Sequence, residues 1–177
     1  SRGLGDVYKR QAQMHAWAPL HPTVRQPWEI LVNAHGERFV REDHPSVHQI
    51  ERGIYRQPGH RHWAIFDAEM LAKSEPIIPD WSRDRLANEY QTHPMFSRAM
   101  TLEELAFRAS INASSLRRNI DDYNRRQQTA QADRFGRTHR PMTIEKAPFY
   151  AIAMQGWTLV SFAGLSVSRN FQVLDPQ

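Results

Sequence analysis

The sequence predicts an α+β fold, and three observations carry that prediction. HWAIFD at 62–67 and APFYAIAM at 147–154 are apolar runs of strand length. TLEELAFRASI and NASSLRRNIDDYNRRQ carry helical apolar spacing behind N-cap residues. Strands and helices then follow one another without the regular rhythm of a parallel strand–helix–strand sheet.

The elements follow in order. Residues 1–11, SRGLGDVYKRQ, have mixed charge and no apolar period, and Leu4, Val7 and Tyr8 do not make the apolar stretch of a signal peptide. One choice of codons for the segment spells a transposon-end adapter used in DNA sequencing libraries. It is read as non-native and expected to pack poorly, with the natural chain extending further N-terminally. Residues 12–27, rich in His, Pro and Trp, read as an irregular lead-in.

WEILVNAHGERFVRE at 28–42 places Ile30 and Val32, then Phe39 and Val40, around a turn with Gly36, which predicts a hairpin. Pro45 opens a helix with Val47, Ile50, Ile54 and Tyr55 on its stripe, and QPG at 57–59 stops it. A strand at 62–67 precedes a short helix over AEMLAKS. Residues 75–98, with scattered prolines and charge, read as loop with short helical pieces.

Thr101 and Glu104 form a capping box ahead of Leu102, Leu105 and Ala106. Asn112 caps the next helix, whose face is Leu116, Ile120 and Tyr123. Residues 128–148 are polar and read as a long loop. The strand at 147–154 is followed by a hairpin over 161–175, turning near Ser168–Asn170. The end at VLDPQ, just after a strand, suggests a truncated C-terminus.

The 177 residues suit one domain, with 40% hydrophobic and 24% charged residues. No apolar run approaches the roughly 20 residues of a membrane span. The chain has no cysteine, which excludes disulfides, thiolate metal sites and cysteine nucleophiles and fits a cytoplasmic protein. Net charge is +4; without Arg2, Lys9, Arg10 and Asp6, 20 basic residues face 18 acidic ones. The arginines at 117, 118, 125 and 126 flank Asp121 and Asp122, the pattern of an ion-paired helix face rather than a nucleic-acid surface. His44 and His48, or His60 and His62, give pairs without a third ligand, so no metal site is expected.

ILVNAHGERFVRE, AIFD, TLEELA, LRRNIDDYN, DRFGR, APFYAI and SFAGLSV with QVLD occur in this order. Over residues 28–175 the series resembles the fumarate reductase/succinate dehydrogenase flavoproteins, the FAD-dependent oxidoreductases that include ketosteroid dehydrogenases. The resemblance implies a capping domain over 28–148 that closes on flavin and substrate, and the start of a return into the FAD-binding domain over 149–177. It implies FAD as cofactor, a small-molecule substrate, and the rest of the FAD-binding domain as partner. It also implies hydride transfer between flavin and a C–C or C=C bond beside a carbonyl or carboxylate. No GxGxxG occurs here.

By the same resemblance, GERFVRE matches the motif whose Glu serves proton delivery, which falls on Glu42, with Arg38 beside it. The alternative is that Arg38 and Glu42 only tie a strand edge to the helix start. The relay Arg expected soon after is replaced by Pro45 and Ser46, with His44 or Asp43 as a substitute that nothing requires. Leu71 and Ala72 stand where a proton-donor Arg is expected, and Leu159 and Val160 replace a His pair. These departures point away from a C4 dicarboxylate and towards a more apolar substrate. Ser161, Ala163 and Gly164 keep part of a turn that faces flavin or substrate, and Tyr150 is a candidate hydroxyl donor; a bulge and a core tyrosine are the structural alternatives.

The competing function is a non-enzymatic, stand-alone α+β binding module with a basic helical face. The enzyme reading expects residues 150–177 to lack sheet partners; the module reading expects covered edges.

Overall fold

The computed structural model describes residues 26–78, 81–155, 168–170 and 172. Four antiparallel strands form one sheet in the order β1-β2-β4-β3: β1 Ile30–Val32, β2 Arg61–Asp67, β3 Phe96–Ala99 and β4 Phe149–Gln155. The helices are α1 Val47–Tyr55, α2 Ala68–Lys73, α3 Arg83–Thr92, α4 Leu102–Ala109 and α5 Ala113–Gln128. The mixture is α+β, as the sequence predicts. None of the described helices is long and apolar enough to cross a membrane.

β2 and β4 are interior strands, paired from Arg61↔Gln155 to Asp67↔Phe149. Near-continuous burial of β2 from His62 to Asp67 follows from neighbours on both edges and cover on both faces. Leu102, Leu105 and Ala106 of α4 and Leu116, Ile120 and Tyr123 of α5 are buried, and α4 packs on β3 and β4. The expected Thr101 cap is present: its side chain accepts from Glu104 N, while Glu104 Oε2 accepts from Met100 N, one residue before the usual reciprocal partner. Asn112 Oδ1 accepts from Ser115 N at 2.9 Å at the start of α5.

Three expectations are corrected. The hairpin over 28–42 has only one strand; its second arm keeps a single bridge, Val32↔Arg38. Beyond that bridge Arg38 bonds to Asp133 and Asp43 to Thr138, which tie the arm to the 133–139 loop rather than to β1. Residues 75–98 are more regular than a loop, since Ser82 caps the ten-residue α3 and β3 follows. Hydrogen bonding to β4 overrides the weak strand propensity of FSRA. Finally, residues 150–155 do not lack sheet partners: β4 pairs on both sides, so the sheet is incomplete without it.

Gly36 has φ +73, and a Cβ there would lie 2.6 Å from Asn112 O and Leu116 N. Asn112 N also donates to Ala34 O at 3.1 Å. The turn after β1 thus docks against the first turn of α5, at a place only glycine fits. The turn near Ser168 is present where expected, with Ser168 Oγ accepting from Asn170 N and Gln172 N, both at 3.2 Å. Residues 1–11 and the strand arms expected at 161–167 and 173–175 lie outside the described residues.

Candidate functional site

The 129–148 loop is held on the body by buried polar side chains. Asp67, at the end of β2, accepts from Met70 N with Oδ1 and from Glu145 N and Lys146 N with Oδ2, at 2.9, 2.8 and 2.8 Å. Asn124 of α5 exchanges two bonds with Ile144, and Tyr123 Oη donates to Met142 O. These contacts fix the chain where it enters β4.

A denser group lies further along the same loop. Arg38 Nε donates to Glu42 Oε1 at 2.9 Å and Nη2 to Oε2 at 2.7 Å, a bidentate fork. Arg38 Nη1 reaches Asp133 Oδ2 at 2.7 Å. Its guanidinium also lies over the rings of Tyr123 and Phe135, at 5.4 and 5.1 Å from their centroids. Glu42 Oε1 also accepts from Leu31 N at 3.1 Å, and Arg137 Nη1 stands 3.4 Å from Glu42 Oε2. Arg137 is fully buried; its other bonds go to the carbonyls of Pro27, Glu29 and His139. The side chains of Arg38, Glu42 and Asp133 are at most 4% exposed. Two guanidiniums thus face two carboxylates in a dry setting, where each charge depends on the others.

Burial lowers the affinity of Arg38 for its proton, but Glu42 and Asp133 outweigh it and push the guanidinium's pKa up. Burial likewise pushes the Asp133 carboxyl up, and bonds from Arg38 and the amides of Phe135 and Arg137 bring it below the usual carboxylate range. Asp43 follows the same logic. Burial opposes its charge, while Arg41, His139 N and both donors of Thr138 hold its carboxyl well below that range.

Of the residues singled out in the sequence, Arg38 and Glu42 are brought together, and both are engaged with protein partners. Tyr150 lies apart on β4, 8% exposed. Its ring stacks on Phe66 at 5.3 Å and meets Tyr90 at 4.7 Å. Ser161, Ala163 and Gly164 lie outside the described residues. Leu71 lines a small crevice with Ile77, Ile78, Trp81 and Leu86, together with Glu75, Pro76 and Arg83. Sequence reasoning missed Asp67, Asp133 and Arg137, and considered Asp43 only as a substitute for the absent relay Arg. In a polar loop Asp133 and Arg137 look solvated; the available signal was DRFGR, one member of the ordered series.

The described residues do not supply a pyrophosphate cradle. Of their glycines, Gly36 is filled by α5, and Gly53 lies inside α1 against Val40. No glycine-rich loop opens a described helix.

A family model described as an FAD binding domain matches residues 8–177. A probable fumarate reductase of Shewanella frigidimarina is 25% identical over 173 residues, covering 91% of this chain and 28% of that protein. The open conformation of a flavocytochrome c3 fumarate reductase superposes with a TM-score of 0.61 at 23% identity, over 87% of this chain and 27% of that one. The 3-ketosteroid delta1-dehydrogenase of Sterolibacterium denitrificans gives 0.58 at 20% identity, over 83% and 31%. The chain thus spans less than a third of each of these three proteins.

Proposed function

The chain belongs to the fumarate reductase/succinate dehydrogenase flavoprotein family of FAD-binding proteins, and on that premise we propose that it is the substrate-closing part of an FAD-dependent dehydrogenase or reductase. The observation that carries the reading is the family match along residues 8–177. In this reading the capping unit runs from residue 28 through β4, because the sheet needs β4, and the return into the FAD-binding domain follows Gln155.

The flavin supplies hydride chemistry. A hydride leaves or joins one carbon of a C–C or C=C bond beside a carbonyl or carboxylate, and a proton leaves or joins its neighbour. Ser161, Ala163 and Gly164 are the residues of this chain proposed to face the flavin. Glu42 is proposed to pass the proton and Arg38 to hold it. Both Glu42 oxygens already accept bonds, so transfer through it requires Arg38 to shift. Tyr150 is proposed to donate a hydrogen bond to substrate.

The substrate is proposed to be more apolar than a C4 dicarboxylate. Leu71 supports this: where the family's reductases carry an arginine, this chain has a leucine beside Ile77, Trp81 and Leu86. The test is turnover by the purified full-length protein. Reduction of bound flavin by an apolar ketone substrate, and none by succinate, is expected; efficient turnover of succinate or fumarate would refute the substrate reading.

A further inference from the structure

A second polar feature opens beside Arg38. A cleft of about 260 Å³ is lined by Glu37, Arg38, Ser115, Arg118, Asn119, Asp122 and Arg134. Its floor is fixed. Asn119 Nδ2 donates to Ser115 O at 3.0 Å and its Oδ1 accepts from Arg38 N at 3.4 Å, while Arg38 is locked on Glu42 and Asp133.

The charges around the mouth are unevenly satisfied. On α5, Arg117 pairs with Glu103, and Arg125 and Arg126 both pair with Asp122. Asp122 is thereby spent on cations outside the cleft. Arg118 has no carboxylate partner among the described residues, and neither has Arg134, which rests 5.5 Å from the Phe135 centroid. Ser115 is 6% exposed, its N–H is bound to Asn112, and no described residue engages its hydroxyl. Glu37 is the one lining carboxylate without a described ion pair. Two uncommitted guanidiniums against one carboxylate leave surplus positive charge at a walled, polar opening.

We propose that this cleft binds a small oxyanion, a phosphate or a carboxylate, between Arg118 and Arg134, with the Ser115 hydroxyl as a third donor. Guanidiniums suit this ligand because their paired N–H groups match two oxygens of one anion. Glu37 opposes the anion.

The test titrates inorganic phosphate, and separately malonate, into the FAD-loaded full-length protein at constant ionic strength, followed by calorimetry. FAD loading keeps the cofactor's own phosphate site filled. Saturable binding is expected, weakened roughly tenfold or more in Arg118→Gln/Arg134→Gln and tightened in Glu37→Gln. Tighter phosphate binding assigns a phosphoryl ligand, and tighter malonate binding a carboxylate ligand. The proposal is overturned by absence of saturable binding of either anion, or by a double variant that titrates like the parent. Arg118 and Arg134 are exposed, so the variants retain the fold, which a melting curve verifies.

Discussion

Arg38 and Glu42 meet through two parallel hydrogen bonds of 2.9 and 2.7 Å, with both side chains almost wholly removed from water. The pair closes the chain just after β1 and presents Arg38 to Asp133, ninety-five positions later.

Removing Arg38 takes away the guanidinium that Glu42 and Asp133 share and leaves two buried carboxylates short of a cation. Arg38→Met is expected to destabilise the protein by about 3–5 kcal/mol, the cost typical of breaking a buried ionic group. Replacing Arg38, Glu42 and Asp133 together by apolar residues should cost much less than the sum of the three single changes. Thermal melting of the three single variants, the triple variant and the parent compares the two.

Gly36→Ala combines a positive φ with a Cβ 2.6 Å from the backbone of α5. The loss should be about 2 kcal/mol or more, read by melting, because backbone rather than a flexible side chain must move. Gly59→Ala also has positive φ but meets only the Arg61 side chain at 3.7 Å, so it should cost less.

His62 is fully buried, and neither ring nitrogen has a hydrogen-bond partner among the described residues. Burial lowers its pKa from 6.5 to about 4. The folded state therefore resists protonation, and stability falls as pH drops from about 6.5 towards 4, by roughly 3 kcal/mol in all. His62→Leu should flatten that limb of the stability–pH curve; an unchanged limb would assign it to other groups.

Asp43 holds Thr138 and His139 by three bonds from one carboxylate oxygen. Its depressed pKa means that this contribution is present above the unfolded carboxylate pKa and is lost as pH falls through the lower folded value. Asp43→Asn should open the 131–140 stretch and speed tryptic cleavage at Arg134 or Arg140 by roughly tenfold, with a smaller change in melting temperature.

What was legible in the sequence was local. The Thr101 and Asn112 caps, the stripes of α4 and α5, and the apolar run of β2 are encoded within a few residues; of the stripe expected on α1, Ile50 and Ile54 are buried, while Tyr55 is exposed at the last turn. β3 was not legible, because Phe96–Ala99 becomes a strand only through β4, whose partner residues lie fifty or more positions away. The missing second arm of the hairpin has the same origin: its charges are claimed by Asp133, Arg137 and Thr138, which no nearby pattern announces. Of the candidate site, Arg38 and Glu42 were singled out by the resemblance of GERFVRE to a family motif; their bonds to each other and to their long-range partners were not legible.

The central claim is tested most directly by the visible spectrum of the purified full-length protein, recorded before and after adding an apolar ketone substrate anaerobically. The account predicts a bound oxidised flavin whose absorbance bleaches with that substrate and stays intact with succinate. A colourless, stably folded full-length protein that takes up no FAD would contradict it.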